Sequence, residues 1–179
     1  MPDDQPTRLR IADLSTRGPT TFDLAPDAAA RAALAAELGI PEIRKLRFAG
    51  TVRPQGGRDW RLEATLGATV VQPCVVTLAP VTTRIDEDVA RTYIAGFDMP
   101  DGGEAEMPED DSLEPLPAVL DLSAVLAEAL ALALPAFPRA EGAALGEAVY
   151  AADGVDPMTD DDAKPLAGLK ALKDRLQNP

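Results

Sequence analysis

The feature that most constrains the fold is a stretch from Ile43 to Ile94 that is patterned almost throughout like β-strands. β-branched residues recur in it, and apolar and other residues alternate from Trp60 to Leu66. The interruptions are short and typical of turns, Pro54-Gln55-Gly56-Gly57 and Ala79-Pro80. Because short connections join antiparallel neighbours, we predict an antiparallel meander, either an open sheet or a partly closed barrel. The predicted strands are Ile43–Arg53, Asp59–Leu66, Val70–Leu78 and Thr82–Ile94.

Two segments rich in alanine and leucine flank this stretch and are predicted to be helices. The first, Asp27–Leu38, follows a proline and ends before a glycine, which are common start and stop signals of helices. The second, Asp121–Leu134, begins with an N-capping aspartate, ends before a proline and repeats its apolar residues at helical spacing. A strand is also predicted near Leu9–Leu14. The fold class is therefore α+β, with the sheet packed by one or two helices.

The net charge of -13 lies entirely in the second half of the chain. Residues 1–95 contain 12 Lys+Arg against 12 Asp+Glu, whereas residues 96–179 contain 5 against 18. Segment 96–114 has eight acidic residues, three glycines and two prolines, which predicts a mobile acidic loop. We therefore predict an α+β domain over residues 1–138, followed over 139–179 by an acidic linker and a short amphipathic helix.

Residues that the chain lacks exclude several function classes. Without histidine, it cannot form a Ser-His-Asp or Cys-His catalytic site or a His-based zinc site. A single cysteine excludes an internal disulfide and suits a reducing cytosol. Met1–Arg10 lacks the apolar core of a signal peptide, and the longest apolar run, residues 119–137, contains charged residues and a proline. We expect a cytoplasmic, non-enzymatic protein with no cofactor, bound metal, membrane or small-molecule substrate.

A basic cluster on the predicted meander is the first candidate site. If alternate strand residues share a face, Lys45, Arg47 and Arg53 project together and offer positive charge to phosphates. The alternative is an ordinary solvated face, or ion pairs with neighbouring acidic strands. The candidate RNA-binding residues are Arg44, Lys45, Arg47, Arg53, Arg58 and Arg61.

The second candidate site is the apolar face of the C-terminal helix, predicted over Pro165–Leu176. That face is available either to the chain's own core or to a groove in a partner. The acidic second half likewise has two interpretations, simple solvation or docking to a basic protein such as a ribosomal protein. The candidate partner-binding residues are Leu166, Leu169, Leu172 and Leu176.

Cys74 is the remaining residue with chemical potential. A lone cysteine in an apolar strand is usually a small core residue. A reactive thiol requires a nearby cation or helix end to lower its pKa, and the local sequence contains neither. The sequence therefore favours a packing role.

Three blocks of the sequence together resemble the YceD family. Residues 71–89 resemble its central motif, a cysteine in a strand followed by a Leu-x-Pro step and an acidic strand. Asp121–Pro135 is similar to the family's "D-L... L-A-L-P" helix, and Lys164–Lys170 to its C-terminal segment. The resemblance implies a part in accumulation or processing of 23S rRNA, or in large-subunit assembly, with no established catalytic residues.

This chain departs from the family pattern at its cysteines. Thr77 occupies the second position of the Cys-x-x-Cys that many members have, and residues 137–141 lack the further cysteines that some carry. A metal role is therefore not expected here, because a single thiolate cannot build a structural zinc site. Two hypotheses follow from the residues and the resemblance. The chain binds rRNA or a pre-ribosomal large subunit through the basic meander, or it is an adaptor that binds a basic ribosomal protein through its acidic loop and tail.

Overall fold

The computed structural model describes residues 7–96, 113–144 and 154–155. The chain divides into two units, Met1–Glu141 and Gly142–Pro179. The strands and helices described below all lie in the first unit. In chain order they are β1 (Arg8–Arg10), β2 (Thr20–Leu24), α1 (Ala28–Glu37), β3 (Glu42–Pro54), β4 (Trp60–Pro73), β5 (Pro80–Ile94), β6 (Leu113–Pro115), β7 (Val119–Asp121) and α2 (Leu122–Ala133).

The larger sheet has five strands in the order β2-β3-β4-β5-β6, and β1 and β7 form a separate two-stranded sheet. All neighbours are antiparallel except β5 and β6, which are parallel. The three long strands β3, β4 and β5 form a meander, which confirms the predicted α+β class. Because β2 and β6 lie at opposite edges and do not pair, the sheet is open and not closed into a barrel.

The meander has three long strands where the sequence predicted four. The predicted strands Asp59–Leu66 and Val70–Leu78 were wrong as separate elements, because β4 continues through Gly67 to Pro73. The segment after Pro73 is a turn, closed by hydrogen bonds between Cys74 and residues 78 and 79. Gly67 does not end the strand because its neighbours in β3 and β5 continue the ladder on both sides.

One face of the sheet, here called the inner face, carries the core. Phe48, Val52, Leu62 and Leu66 have no exposed surface and point to this face, and α2 covers it with Leu122, Val125, Leu126 and Leu130. Burial of such apolar side chains stabilises the fold by about 25 cal/mol per Å² of apolar surface. Within the described ranges, no helix is long and apolar enough to cross a membrane.

The two helices lie within one residue of their predicted bounds because their caps are local. The Asp27 side chain accepts a hydrogen bond from the Ala30 amide at the start of α1, and Gly39 follows its end with φ +66°. Asp121 accepts from the Ser123 and Ala124 amides at the start of α2.

The structure adds three strands that the sequence analysis lacked, β2, β6 and β7, the last of which pairs with β1. β2 pairs with β3 and is too short to show a clear alternation. β6 corrects the end of the predicted acidic loop 96–114, since Leu113 and Glu114 belong to a strand that pairs with β5. Residues 97–112 of that loop lie outside the described residues.

Candidate functional site

The candidate basic residues lie mainly on the face opposite the core, here called the outer face. A bulge at Arg44 shifts the register of β3 between Ile43 and Lys45, so that Ile43 and Leu46 both point inward. From Lys45 onward the strand alternates, which places Lys45, Arg47 and Arg53 together on the outer face. Arg61 joins them because it lies opposite Arg53 in β4.

Four of the six candidate residues are held by carboxylates. Arg47 donates to both carboxylate oxygens of Asp23 on β2, with Nε at 2.8 Å from Oδ1. Arg53 and Arg61 share Glu63, at 3.2 and 2.9 Å. Arg44 donates to Glu42 at 3.1 Å. The described residues supply no ion pair for Lys45 on β3 or for Arg58 in the β3–β4 turn.

These ion pairs lower the pKa of the carboxyl groups that form them. The guanidinium of Arg47 lowers the pKa of Asp23 below its ordinary value, and hydrogen bonds from Arg61 and Arg53 do the same for Glu63. Both carboxylates are therefore ionised and paired at neutral pH. A phosphate that approached these arginines would have to compete with a carboxylate already bound to them.

β5 brings further charges of both signs to the outer face. Arg84 forms an ion pair with Asp86, and Asp88 accepts from the Thr65 hydroxyl at 3.3 Å. The face then carries five positive and four negative side chains. They are Lys45, Arg47, Arg53, Arg61 and Arg84 against Asp23, Glu63, Asp86 and Asp88. The outer face is thus close to electrically neutral, a property that the sequence of β3 alone does not show.

Cys74 occupies a more polar environment than the sequence suggested. Its side chain is buried, but it lies in the β4–β5 turn rather than in a strand. The sulfur accepts hydrogen bonds from the backbone amides of Val76 and Thr77 at 3.4 Å and of Ala140 at 3.3 Å. The Ala140 amide contributes most, followed by the Thr77 hydroxyl, and together these donors lower the pKa of the thiol to about 6. The largest single contribution to this lowering of the pKa comes from the amide of residue 140, 66 positions away, and the others come from Thr77 and Val76 in the turn.

The same turn presents an exposed apolar tip, defined by Val75, Leu78 and Phe137. Their exposed fractions are 48%, 78% and 79%. The Val75 amide donates to the Pro138 carbonyl at 2.9 Å, which joins the turn to the segment after α2. Leu78 has φ +60°, a conformation that costs a non-glycine residue energy. No sequence pattern indicated this tip.

A polar network ties α2 to the sheet edge. Arg91 on β5 contacts Glu114 on β6 at 2.9 Å and Glu128 on α2 at 2.8 Å. Burial raises the pKa of Glu114 and of the neighbouring Tyr93. One guanidinium holds both carboxylates, and the role of the network is therefore to attach α2 and β6 to the sheet.

The remaining candidate residues, Leu166, Leu169, Leu172 and Leu176, lie outside the described residues. Their availability to a partner stays a prediction. Among the residues that are described, no group of three or more Cys, Asp or Glu side chains is arranged to hold a metal ion.

Comparison with known proteins supports the sequence resemblance. The family model described as large ribosomal RNA subunit accumulation protein YceD matches residues 62–173. This range begins in β4 and includes the cysteine turn, β5 and α2. No curated protein and no solved structure matches the chain.

Proposed function

Because the chain belongs to the YceD family, we propose that it supports the accumulation of large-subunit ribosomal RNA as a non-enzymatic assembly factor in the cytoplasm. The family match over residues 62–173 carries this proposal. The composition is consistent with a binding protein, since a chain without histidine lacks the commonest general base. In this role the chain promotes the accumulation of 23S rRNA by binding a component of the large subunit, and it catalyses no reaction.

We further propose that the partner is a basic protein of the large subunit. The single observation that favours a protein over RNA is that the outer face is close to neutral, with four of the six candidate cations already held by carboxylates. The chain as a whole has a net charge of -13, which repels phosphate backbones at long range and attracts basic proteins. A basic partner is attracted by the acidic second half of the chain, and it does not require free cations on the outer face.

Co-purification at low salt tests this proposal directly. Tagged full-length chain is recovered from cell extract with and without ribonuclease treatment. We expect a small basic ribosomal protein to remain bound after nuclease treatment and to be lost when the seven acidic residues from 98 to 111 are replaced by their amides. Recovery that depends wholly on intact RNA would contradict the adaptor role.

A second experiment tests the role in rRNA accumulation itself. Cells that lack the chain should contain less mature 23S rRNA relative to 16S rRNA, and the wild-type chain should restore the ratio. An unchanged ratio in the deletion strain would contradict the family-based proposal, whatever the chain binds.

Direct contact with rRNA through the outer face is the second candidate function. It is favoured by Lys45, which no described carboxylate neutralises, and by Arg47, Arg53 and Arg61 on the same face. If the face binds phosphates, the triple variant K45E/R47E/R53E should abolish RNA binding in a salt titration, and log affinity should fall linearly with log salt for the wild type. A wild-type chain that binds no RNA at low salt would exclude this candidate.

A further inference from the structure

A groove of about 650 Å³ lies between α1 and α2, beside β2. Its apolar lining includes Leu24 of β2, Leu34 of α1 and Leu126 of α2. The groove stays open because α1 has the sequence Ala-Ala-Ala-Arg-Ala-Ala-Leu-Ala-Ala-Glu, and methyl groups are too small to reach the other helix. Ala33, which lines the groove, is exposed, and only Ala35 of α1 is buried.

The ionisable residues that line this groove are all acidic. They are Asp23, Asp27 and Glu37, and no Lys or Arg lines it. Arg31, the one cation on α1, points to the other side of the helix and donates to the carbonyl oxygens of Ile43 and Pro26. Arg47 already neutralises Asp23, so the groove combines an apolar floor with a rim on which Asp27 and Glu37 carry the negative charge.

Glu37 lies at an electrostatically unfavourable position on this rim. It lies in the last turn of α1, where the helix dipole is negative, and that turn contains no basic residue. The ion pairs among the described residues do not include Glu37. Its charge is therefore unfavourable for the isolated helix, and a cation supplied from outside would relieve it.

We propose that this groove binds an amphipathic helix of a basic protein, with apolar side chains on the floor and Lys or Arg side chains against the rim. Asp27 and Glu37 are ten positions apart on α1, about 15 Å along the helix axis at 1.5 Å per residue. A partner helix with apolar anchors at i, i+4 and i+7 spans about 10 Å, so flanking cations reach both ends. The proposal rests on the adaptor role above and adds the groove to the acidic segment as a second surface that contacts the basic partner.

Binding of a designed probe to the full-length chain tests the groove. The probe is a labelled helical peptide of leucine and lysine, with leucines on one face, and its scrambled isomer is the comparison. Ala33→Trp fills the groove, and Ala32→Trp makes the same change on the other side of α1, where Ala32 lines a separate depression. We expect Ala33→Trp to weaken probe binding at least tenfold and Ala32→Trp to change it less than twofold.

Charge is tested with a matched pair. Glu37→Lys reverses a rim charge, and Glu87→Lys makes the same change in net charge on β5, away from the groove. We expect Glu37→Lys to weaken binding about fivefold or more, and Glu87→Lys less than twofold. Equal effects of the two reversals, or equal binding of the scrambled peptide, would mean that bulk charge alone attracts the probe and would overturn the proposal.

The proposal would also be overturned if either of two other occupants filled the groove. If the chain's own C-terminal leucines occupied the groove, Leu169→Glu with Leu172→Glu would strengthen probe binding severalfold. If a second copy occupied it, sedimentation would show a dimer that Ala33→Trp dissociates. The 23S rRNA ratio separates this inference from the proposed function. An Ala33→Trp chain that restores the ratio as well as wild type refutes the groove and leaves the proposed function standing.

Discussion

Replacement of Gly50 by alanine should be among the most damaging single changes in this protein. Gly50 lies in β3 directly opposite Ala64 of β4, with Phe22 of β2 on its other side. A Cβ atom at residue 50 would lie 2.5 Å from the Ala64 Cα and 2.6 Å from its Cβ, and closer still to the Glu63 carbonyl oxygen. Carbon atoms normally approach to about 3.5–4.0 Å, so the two strands would have to separate locally by about 1 Å.

The size of the destabilisation depends on which atoms must move to relieve the close contact. Overpacking relieved by side-chain movement costs about 1–3 kcal/mol. Here the obstruction is largely backbone, and separation also weakens neighbouring ladder hydrogen bonds, each worth about 0.5–1.5 kcal/mol net. We expect Gly50→Ala to lower the free energy of unfolding by about 3–5 kcal/mol, a large part of the roughly 5–15 kcal/mol typical of a domain.

Gly67→Ala is the matched control in the adjacent strand. Its Cβ would meet chiefly the Arg84 Nη2 atom at 2.9 Å, the end of a flexible side chain. Replacement of a strand glycine gains about 0.5–1 kcal/mol, and the exposed Arg84–Asp86 ion pair is screened by solvent and adds little to stability, so the net change should stay within about 1 kcal/mol. Urea unfolding followed by fluorescence of Trp60, the single tryptophan and 4% exposed, measures both variants. A Gly50→Ala protein as stable as the Gly67→Ala protein would refute the close-approach argument.

Two further predictions concern the β4–β5 turn. Because the pKa of the Cys74 thiol is lowered from 9.0 to about 6 in the folded chain, its ionisation stabilises the fold fully above pH 9, and this contribution is lost as the pH falls through 6. The difference in urea midpoint between wild type and Cys74→Ala should therefore be larger at pH 9 than at pH 5, and a constant difference would show that the thiol does not ionise in this range. Leu78→Gly should raise the free energy of unfolding by about 0.5–1 kcal/mol, since relief of a left-handed leucine outweighs the entropy of glycine. Val75→Gly is the control, because Val75 lies in the same turn without a positive φ, and it should lower the free energy of unfolding in the same urea measurement. A loss of stability for Leu78→Gly would contradict the strain argument.

Features set by near neighbours in the chain were predictable. The bounds of α1 and α2 follow from Asp27 and Asp121, whose side chains accept hydrogen bonds from amides two or three residues ahead. The β3–β4 turn follows from a Gly-Gly pair, both members of which have positive φ. The predicted division of β4 into two strands was wrong at Gly67. A glycine is a local signal for a break, but the pairing of its neighbours on both sides keeps the strand extended.

The sequence by itself determined the α+β class, the helix bounds and the segregation of negative charge, because each depends on local spacing or on composition. The tertiary structure decided whether Arg47 and Arg53 are available, since the carboxylates of Asp23 and Glu63 reach them only through strand pairing. It also decided the acidity of Cys74, through an amide 66 residues away, and opened the groove along α1. Electrostatic and hydrogen-bonding partners act over a few ångströms in space, and the order of residues in the chain does not specify those distances until the strands and helices have packed.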